Sequence, residues 1–227
     1  MNKISCIICA YNEEKRIWLV LNALKDHPDI SEVIVVNDGS TDDTTNIVEQ
    51  YDFVKLISFE KNQGKSKAMS AGINAAQNDI LMFLDADILT ITPTEISELA
   101  KPVLENKADV TFSLRKNSLW IYRQLGLDFV SGERVIAKKY FDNQTEEMSS
   151  LPGFGVEVFM NRIIIKNKLR LQSIDWKNVL VARKSAKLGF WMGFKGELKM
   201  IRQIHKVASF KEMLTQNFEL LKLVGKK

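Results

Sequence analysis

Two cysteines and two histidines are all that 227 residues contain of the side chains that form disulfides and thiolate or imidazole metal sites. Cys6 and Cys9 have the C-x-x-C spacing of a thioredoxin-like redox pair, but such a pair needs its first thiol at a helix N-terminus, where the dipole lowers its pKa. Here both lie inside the apolar run Ile4-Ser5-Cys6-Ile7-Ile8-Cys9. Residues three apart on a strand face opposite sides, so a redox dithiol is excluded. Of the histidines His27 and His205, the second is flanked by Arg202 and Lys206, cations that disfavour a metal, and reads as a surface residue.

Long apolar runs are missing too. Spanning a bilayer takes about 20 apolar residues, whereas the longest stretches, 4–10 and 80–84, are strand-sized. Met1-Asn2-Lys3 leads straight into the first of them without a cleavable hydrophobic segment, so a cytoplasmic protein is expected. Repeats and low-complexity tracts are absent, and 45% hydrophobic with 26% charged residues matches soluble globular chains rather than disordered, collagen-like or polytopic ones.

What is present points to one α/β domain with a C-terminal extension. Residues 183–227 hold eleven Lys/Arg against three Glu, a surplus of +8, and the remaining 182 residues carry 21 against 25, or −4. A mildly acidic body with a basic tail favours anionic surfaces. Apolar strand signals at 4–10, 32–37, 54–59, 80–85 and 109–114 alternate with helical periodicity, clearest at 13–27 and 65–77. Ser40-Thr41-Asp42-Asp43 and Thr92-Pro93-Thr94-Glu95 read as capping boxes. This is the pattern of a doubly wound, mostly parallel sheet, whose ligands bind at the carboxyl ends of the strands. A helix is predicted over 155–166 and one further strand over 176–182. The tail, 197–224, places Phe210, Leu214, Phe218 and Leu221 on one helical face with Lys211 and Lys222 off it. Packing on the body is expected there, with an anionic membrane surface as the alternative.

Chemistry collects at the predicted strand ends. Leu81-Met82-Phe83-Leu84-Asp85-Ala86-Asp87 is an apolar strand that stops in two carboxylates one residue apart. An oxygen-seeking cation, Mg²⁺ or Mn²⁺, neutralises such a pair and offsets the charge of a diphosphate leaving group. Asp38 follows the second strand and is placed to accept a hydrogen bond from a nucleotide base, with Glu13 serving base or ribose. Read alone, Asp38-Gly39 is a turn and Glu13 a helix-start charge. A P-loop is excluded, because the glycine required five residues before Gly64-Lys65-Ser66 is Phe59.

Four segments in order, Cys9-Ala10-Tyr11-Asn12-Glu13, Val36-Asn37-Asp38-Gly39-Ser40-Thr41-Asp42, Asn62-Gln63-Gly64-Lys65 and Leu84-Asp85-Ala86-Asp87, resemble the donor half of family-2 glycosyltransferases with the GT-A fold. The resemblance spans roughly residues 4–90. It implies a nucleotide-sugar donor, UDP- or GDP-hexose, whose nucleoside is held by Ala10, Tyr11, Glu13 and Asp38. It places Lys65 near the nucleotide, and Asp85, Ala86 and Asp87 at ribose, metal and diphosphate. On that basis residues 1–195 form the transferase domain, 1–115 its donor half and 116–195 its acceptor half, with 196–227 as the extension.

Farther along, neither an obvious general base nor a Q-x-x-R-W motif is found. Ser131-Gly132-Glu133-Arg134 and Gly153-Phe154-Gly155-Val156-Glu157 are similar to segments of the dolichyl-phosphate mannosyltransferases. That likeness implies a bidentate contact of Arg134 with an acceptor phosphate and a sugar-orienting or proton-accepting Glu157, catalytic alongside Asp87. Acceptors so implied are a polyprenyl phosphate, another phosphorylated molecule or a glycan, with no nucleic acid. A phosphate is ionised near neutral pH, so no base need deprotonate it. Two rivals remain open. A sugar-phosphate nucleotidyltransferase should show a Gly-rich, Arg-containing loop where this chain has Tyr11-Asn12-Glu13-Glu14, and a non-catalytic module would bind nucleotide or membrane without turnover.

Overall fold

The computed structural model of the chain describes residues 3–152, 155–182, 207 and 209–225. Among these, seven strands form one sheet: β1 (Ile4–Ala10), β2 (Ile30–Asn37), β3 (Val54–Ser58), β4 (Ile80–Asp85), β5 (Val110–Arg115), β6 (Arg134–Ala137) and β7 (Leu171–Trp176). Their spatial order is β3-β2-β1-β4-β6-β5-β7. Neighbours are parallel except at β6, which runs antiparallel to both β4 and β5. The helices are α1 (Ile17–Leu24), α2 (Thr44–Glu49), α3 (Lys65–Ala75), α4 (Pro93–Leu104), α5 (Trp120–Leu125), α6 (Thr145–Ser149), α7 (Gly155–Lys166) and α8 (Phe210–Leu223).

Strand side chains alternate between faces, so β1 sends Ile4, Cys6 and Ile8 into one apolar cluster with α1 and α4, and Ile7 into another with α3 and α7. Covering both faces is what makes β1, β2 and β4 near-continuous apolar runs. The cysteines divide the same way: both are free thiols, and burial pushes Cys9 up to about 12 and Cys6 up as well. Helix α3 lies very close to β1, since a Cβ at Gly72 would meet Ile7 Cγ2 at 2.5 Å.

Several sequence-based boundaries shift. Helix α1 starts at Ile17 rather than 13, because residues 13–16 form a turn in which Ile17 N–H donates to the Glu13 carbonyl at 3.0 Å. The Thr92–Glu95 capping box forms, with Pro93 at the first position. That of 40–43 does not. Instead Ser40 Oγ accepts from Asn12 N–H at 3.0 Å and Asp42 from Glu14 N–H at 3.2 Å, lacing the loops after β1 and β2 together. The last strand is 171–176, not 176–182. Residues 177–182 are drawn over the ends of β4 and β5 by Leu89 N–H to Leu180 O at 2.8 Å and Lys116 N–H to Val179 O at 3.1 Å. Helix α7 has the predicted bounds.

Helix α8 packs on the body through a different face from the one expected. Gln216, Leu220 and Leu223 are buried, while Leu214 and Phe218 are 55% and 60% exposed. Arg162 of α7 ties it down with hydrogen bonds to Glu212 at 2.7 Å and to the Val207 carbonyl at 2.8 Å. The Phe210 side chain and residues 183–206 lie outside the described residues.

One turn bears directly on the site. Gly39 has φ of +70°, and a Cβ there would stand 2.4 Å from the Lys61 carbonyl carbon. Both the left-handed backbone and the clash with main chain oppose a side chain. Gly39→Ala is therefore expected to cost about 1–3 kcal/mol, measurable as a lowered urea midpoint; an unchanged midpoint would refute this close approach.

Candidate functional site

In a sheet ordered β3-β2-β1-β4, successive connections run one way from β1 and then return to its other side. The crevice at such a switch point lies at the carboxyl ends of β1 and β4, where Cys9 pairs with Asp85 in the register. Three loops converge on it. Asp38, 4% exposed, accepts from the backbone N–H groups of Gln63 at 2.7 Å and Gly64 at 2.9 Å, fixing the loop that leads into Lys65. Each of its oxygens keeps a second lone pair. Asn12, at φ +57°, accepts from Thr41 N–H at 2.9 Å, and Glu13 N–H donates to Thr44 Oγ1 at 2.8 Å. The Glu13 carboxylate is nearly buried and faces Arg16 at 3.1 Å. Tyr11 is 45% exposed at the rim, whereas Ala10 and Ala86 are buried.

The centre of the crevice is a charge cluster. Lys65 Nζ donates to Asp85 Oδ1 at 2.8 Å and to Glu157 Oε1 at 2.9 Å, joining the starts of α3 and α7 to the end of β4. Burial opposes the Lys65 charge, but Asp85 and Glu157 outweigh it and hold the ammonium well above its ordinary pKa. Glu157 Oε2 is buried without a hydrogen-bond partner among the described residues. Behind Asp85 stands Gly132, where a Cβ would lie 2.6 Å from both carboxyl oxygens. Asp87 is two residues on, in the turn whose backbone carbonyl accepts from Ala182 N–H at 3.0 Å. Asp85, Lys65 and Glu157 are thus joined at the carboxyl edge of the sheet, with Asp87 two residues beyond Asp85.

The acceptor side differs from the expectation. Arg134 is fully buried and does not face the crevice. Its guanidinium donates to the Ser131 and Phe129 carbonyls and to Asn161 Oδ1 at 2.9, 3.1 and 2.9 Å, and lies 3.9 Å from the Phe112 ring centroid. Burial lowers its pKa to about 10. The role of phosphate ligand is therefore corrected to that of an internal brace joining β6, β5 and α7.

Arg115, at the end of β5, is the cation that sequence reasoning missed. It bonds Asp128 at 3.2 Å and Glu133 at 3.3 Å, and comes within 3.9 Å of Asp85. Its only sequence signal was position, a cation closing an apolar strand as Asp85 closes another. Glu133 is fully buried, takes hydrogen bonds from Ser113 at 2.7 Å and Ser131 at 2.8 Å, and has a pKa raised by burial despite Arg115.

His27 is not part of the site: it is buried with Nε2 3.0 Å from the Pro93 carbonyl at the start of α4. His205 lies outside the described residues. Among those residues no three His, Cys, Asp or Glu side chains gather around a metal position.

Residues 5–160 match the family described as "Glycosyl transferase family 2". An uncharacterized protein of Methanocaldococcus jannaschii is 36% identical over 136 residues, 55% of this chain and 58% of that protein. A dolichyl-phosphate beta-glucosyltransferase of Trichomonas vaginalis is 35% identical over 150 residues, 60% and 44% of the two chains. An undecaprenyl-phosphate 4-deoxy-4-formamido-L-arabinose transferase of Proteus mirabilis is 32% identical over 126 residues, 52% and 38% of the two. The matched stretch thus covers between 38% and 58% of these relatives' lengths. Among solved structures, glucosyl-3-phosphoglycerate synthase of Mycobacterium tuberculosis, in complex with Mn²⁺, UDP and phosphoglyceric acid, superposes with a TM-score of 0.71 at 21% identity, covering 95% of this chain and 78% of that one. At that identity the likeness is one of fold, the GT-A fold. Because the family match extends over well more than half of its length, the chain belongs to glycosyl transferase family 2.

Proposed function

We propose that this chain transfers a hexose from a UDP- or GDP-linked donor to a phosphorylated acceptor, with a polyprenyl phosphate favoured, using Mg²⁺ or Mn²⁺ held by Asp85 and Asp87. The observation that carries this reading is the strand-end pair at the switch-point crevice, with Lys65 and Glu157 drawn to it. The relatives named above add weight, two of them called polyprenyl- or dolichyl-phosphate transferases and the solved one holding Mn²⁺ and UDP.

The donor set fits such an ion. Among the described residues no cluster of three ligands forms, and a pair of carboxylates suits Mg²⁺, which keeps waters and takes one or two carboxylates plus substrate phosphates. When bound, the ion offsets the charge that develops on the departing diphosphate. The chain's own residues do the rest. Asp38 and Glu13 orient the nucleoside against Tyr11. Lys65 contributes a mobile positive charge beside the diphosphate, and Glu157, whose Oε1 accepts from Lys65 at 2.9 Å from beneath, positions that charge. Arg115 steadies Asp85 from the acceptor side. An ionised acceptor phosphate attacks the anomeric carbon without a dedicated base.

The test is a thermal-shift titration with UDP and GDP, each with and without Mn²⁺. A ligand that binds only the native state raises Tm by mass action. A rise selective for one nucleotide and dependent on Mn²⁺ is expected; no rise with either would refute the reading.

Gly132 gives a second, local check. Gly132→Ala pushes a methyl group into the Asp85 carboxyl group, so it is expected to weaken Mn²⁺ affinity in the presence of nucleotide by about tenfold, or ~1.4 kcal/mol. Calorimetric titration measures this, and unchanged affinity would show that Asp85 does not depend on that contact.

A further inference from the structure

The Lys65 ammonium takes up one of the two Asp85 carboxyl oxygens, a group the proposed divalent ion would also use. It is 2.8 Å from Asp85 Oδ1 and 2.9 Å from Glu157 Oε1. Lys65 and Asp85 keep side-chain exposures of 25% and 23%, against 4% for Glu157, so the ammonium can be reached from the crevice while its deeper partner cannot. Glu157 also retains a buried Oε2 without a hydrogen-bond partner among the described residues, acceptor capacity that Lys65 does not fill. The approach to Lys65 is open: Gly64, with φ of +94°, has nothing within 4 Å of the place a Cβ would take. Lysine is a point charge on a flexible four-carbon stem, able to swing without disturbing the helix that carries it.

We propose that Lys65 is an internal stand-in for the metal. Without donor, its ammonium pairs with Asp85 and Glu157 together, offsets one of their two charges and competes with the divalent cation. The diphosphate of the donor draws the ammonium away, freeing Asp85, so nucleotide and metal bind cooperatively. The inference rests on the reading that Asp85 holds a divalent ion. Its physical cause is Coulombic: two cations a few ångströms apart repel strongly in a partly desolvated site, and diphosphate oxygens offer the ammonium equivalent charge-assisted hydrogen bonds. By linkage, the factor that nucleotide adds to metal affinity equals the factor that metal adds to nucleotide affinity.

The experiment measures Mn²⁺ binding by electron paramagnetic resonance in the absence of donor sugar, so turnover plays no part. Wild type, Lys65→Met and Lys65→Arg are titrated with Mn²⁺ alone and with saturating UDP or GDP. Lys65→Met is expected to bind Mn²⁺ alone about tenfold tighter than wild type, and its gain from nucleotide is expected to shrink by about the same factor. Lys65→Arg, which keeps the charge, should stay weak for Mn²⁺ alone. Metal affinity and coupling unchanged in Lys65→Met overturn the proposal. Should that variant fail to fold, Lys65→Gln carries the same expectations. A crystal of the wild type with Mn²⁺ and nucleotide decides separately, and Nζ still bonded to a metal-bearing Asp85 also overturns it. If the wild type binds no Mn²⁺ even with UDP or GDP, the failure belongs to the proposed function, and this inference falls with it.

Discussion

Asp87→Ala is expected to lower Mn²⁺-dependent turnover of the donor by about 10²–10³-fold, the loss typical when a group that stabilises developing transition-state charge is removed. Asp87 contributes a backbone carbonyl to the turn held by Ala182 N–H at 3.0 Å, and alanine retains that carbonyl. That bond is therefore kept, and the Mn²⁺-dependent nucleotide shift in Tm should disappear. Turnover within threefold of wild type would mean that the ion, if present, is held elsewhere. Asp85→Asn is a less clean probe, because it also removes the negative charge that Lys65 pairs with at 2.8 Å.

Arg115→Leu should produce the largest change in stability, a loss of about 3–5 kcal/mol, because removing one partner of a buried ion pair leaves the other charge uncompensated. Two carboxylates are at stake: Glu133 is fully buried and Asp128 is 1% exposed. The pH dependence identifies the cause. Glu133 already has a raised pKa from burial, and Arg115 opposes that rise, so the variant raises it further. Between the unfolded value, about 4.3, and the raised folded value, the folded state holds more protons than the unfolded state. Stability then falls as pH rises through that window. The deficit of the variant should therefore be greatest near neutral pH and fade as pH drops below the unfolded pKa. Denaturant midpoints for both proteins at several pH values measure it, and a deficit independent of pH would assign the loss to packing instead.

The donor side was largely legible in the sequence because its signals are local. A strand covered on both faces is an apolar run, and the residue that ends it, whether Asp38 or Asp85, falls at the carboxyl edge without further information. The acceptor side depends on contacts distant in sequence. β6 is only four residues long and opens on Arg134, a residue type ordinarily taken for surface, and acceptors for its buried guanidinium come both from the loop before it, Phe129 and Ser131, and from Asn161 of α7, 27 residues on. β7, Leu171-Gln172-Ser173-Ile174-Asp175-Trp176, has interior positions that are mostly polar or partly exposed, so its pattern is faint beside the apolar runs. The outward face of α8 was mistaken for its buried one because periodicity reveals a stripe, not what covers it. Leu214 and Phe218 form that stripe, and Lys222 lies 4.2 Å over the Phe218 ring.

The reversal of β6 reaches further than its four residues. Running against its neighbours, it begins at the carboxyl edge, where Arg134 pairs with Phe83 and Phe112, and it separates β4 from β5. A chain cut after residue 115 would strip β4 of a neighbour and strand β5, which pairs with β6 and β7, leaving open sheet edges of the kind that aggregate. A fragment ending there is therefore expected to aggregate, and a swap of acceptor segments between relatives is expected to need a graft that brings its own reversed strand along.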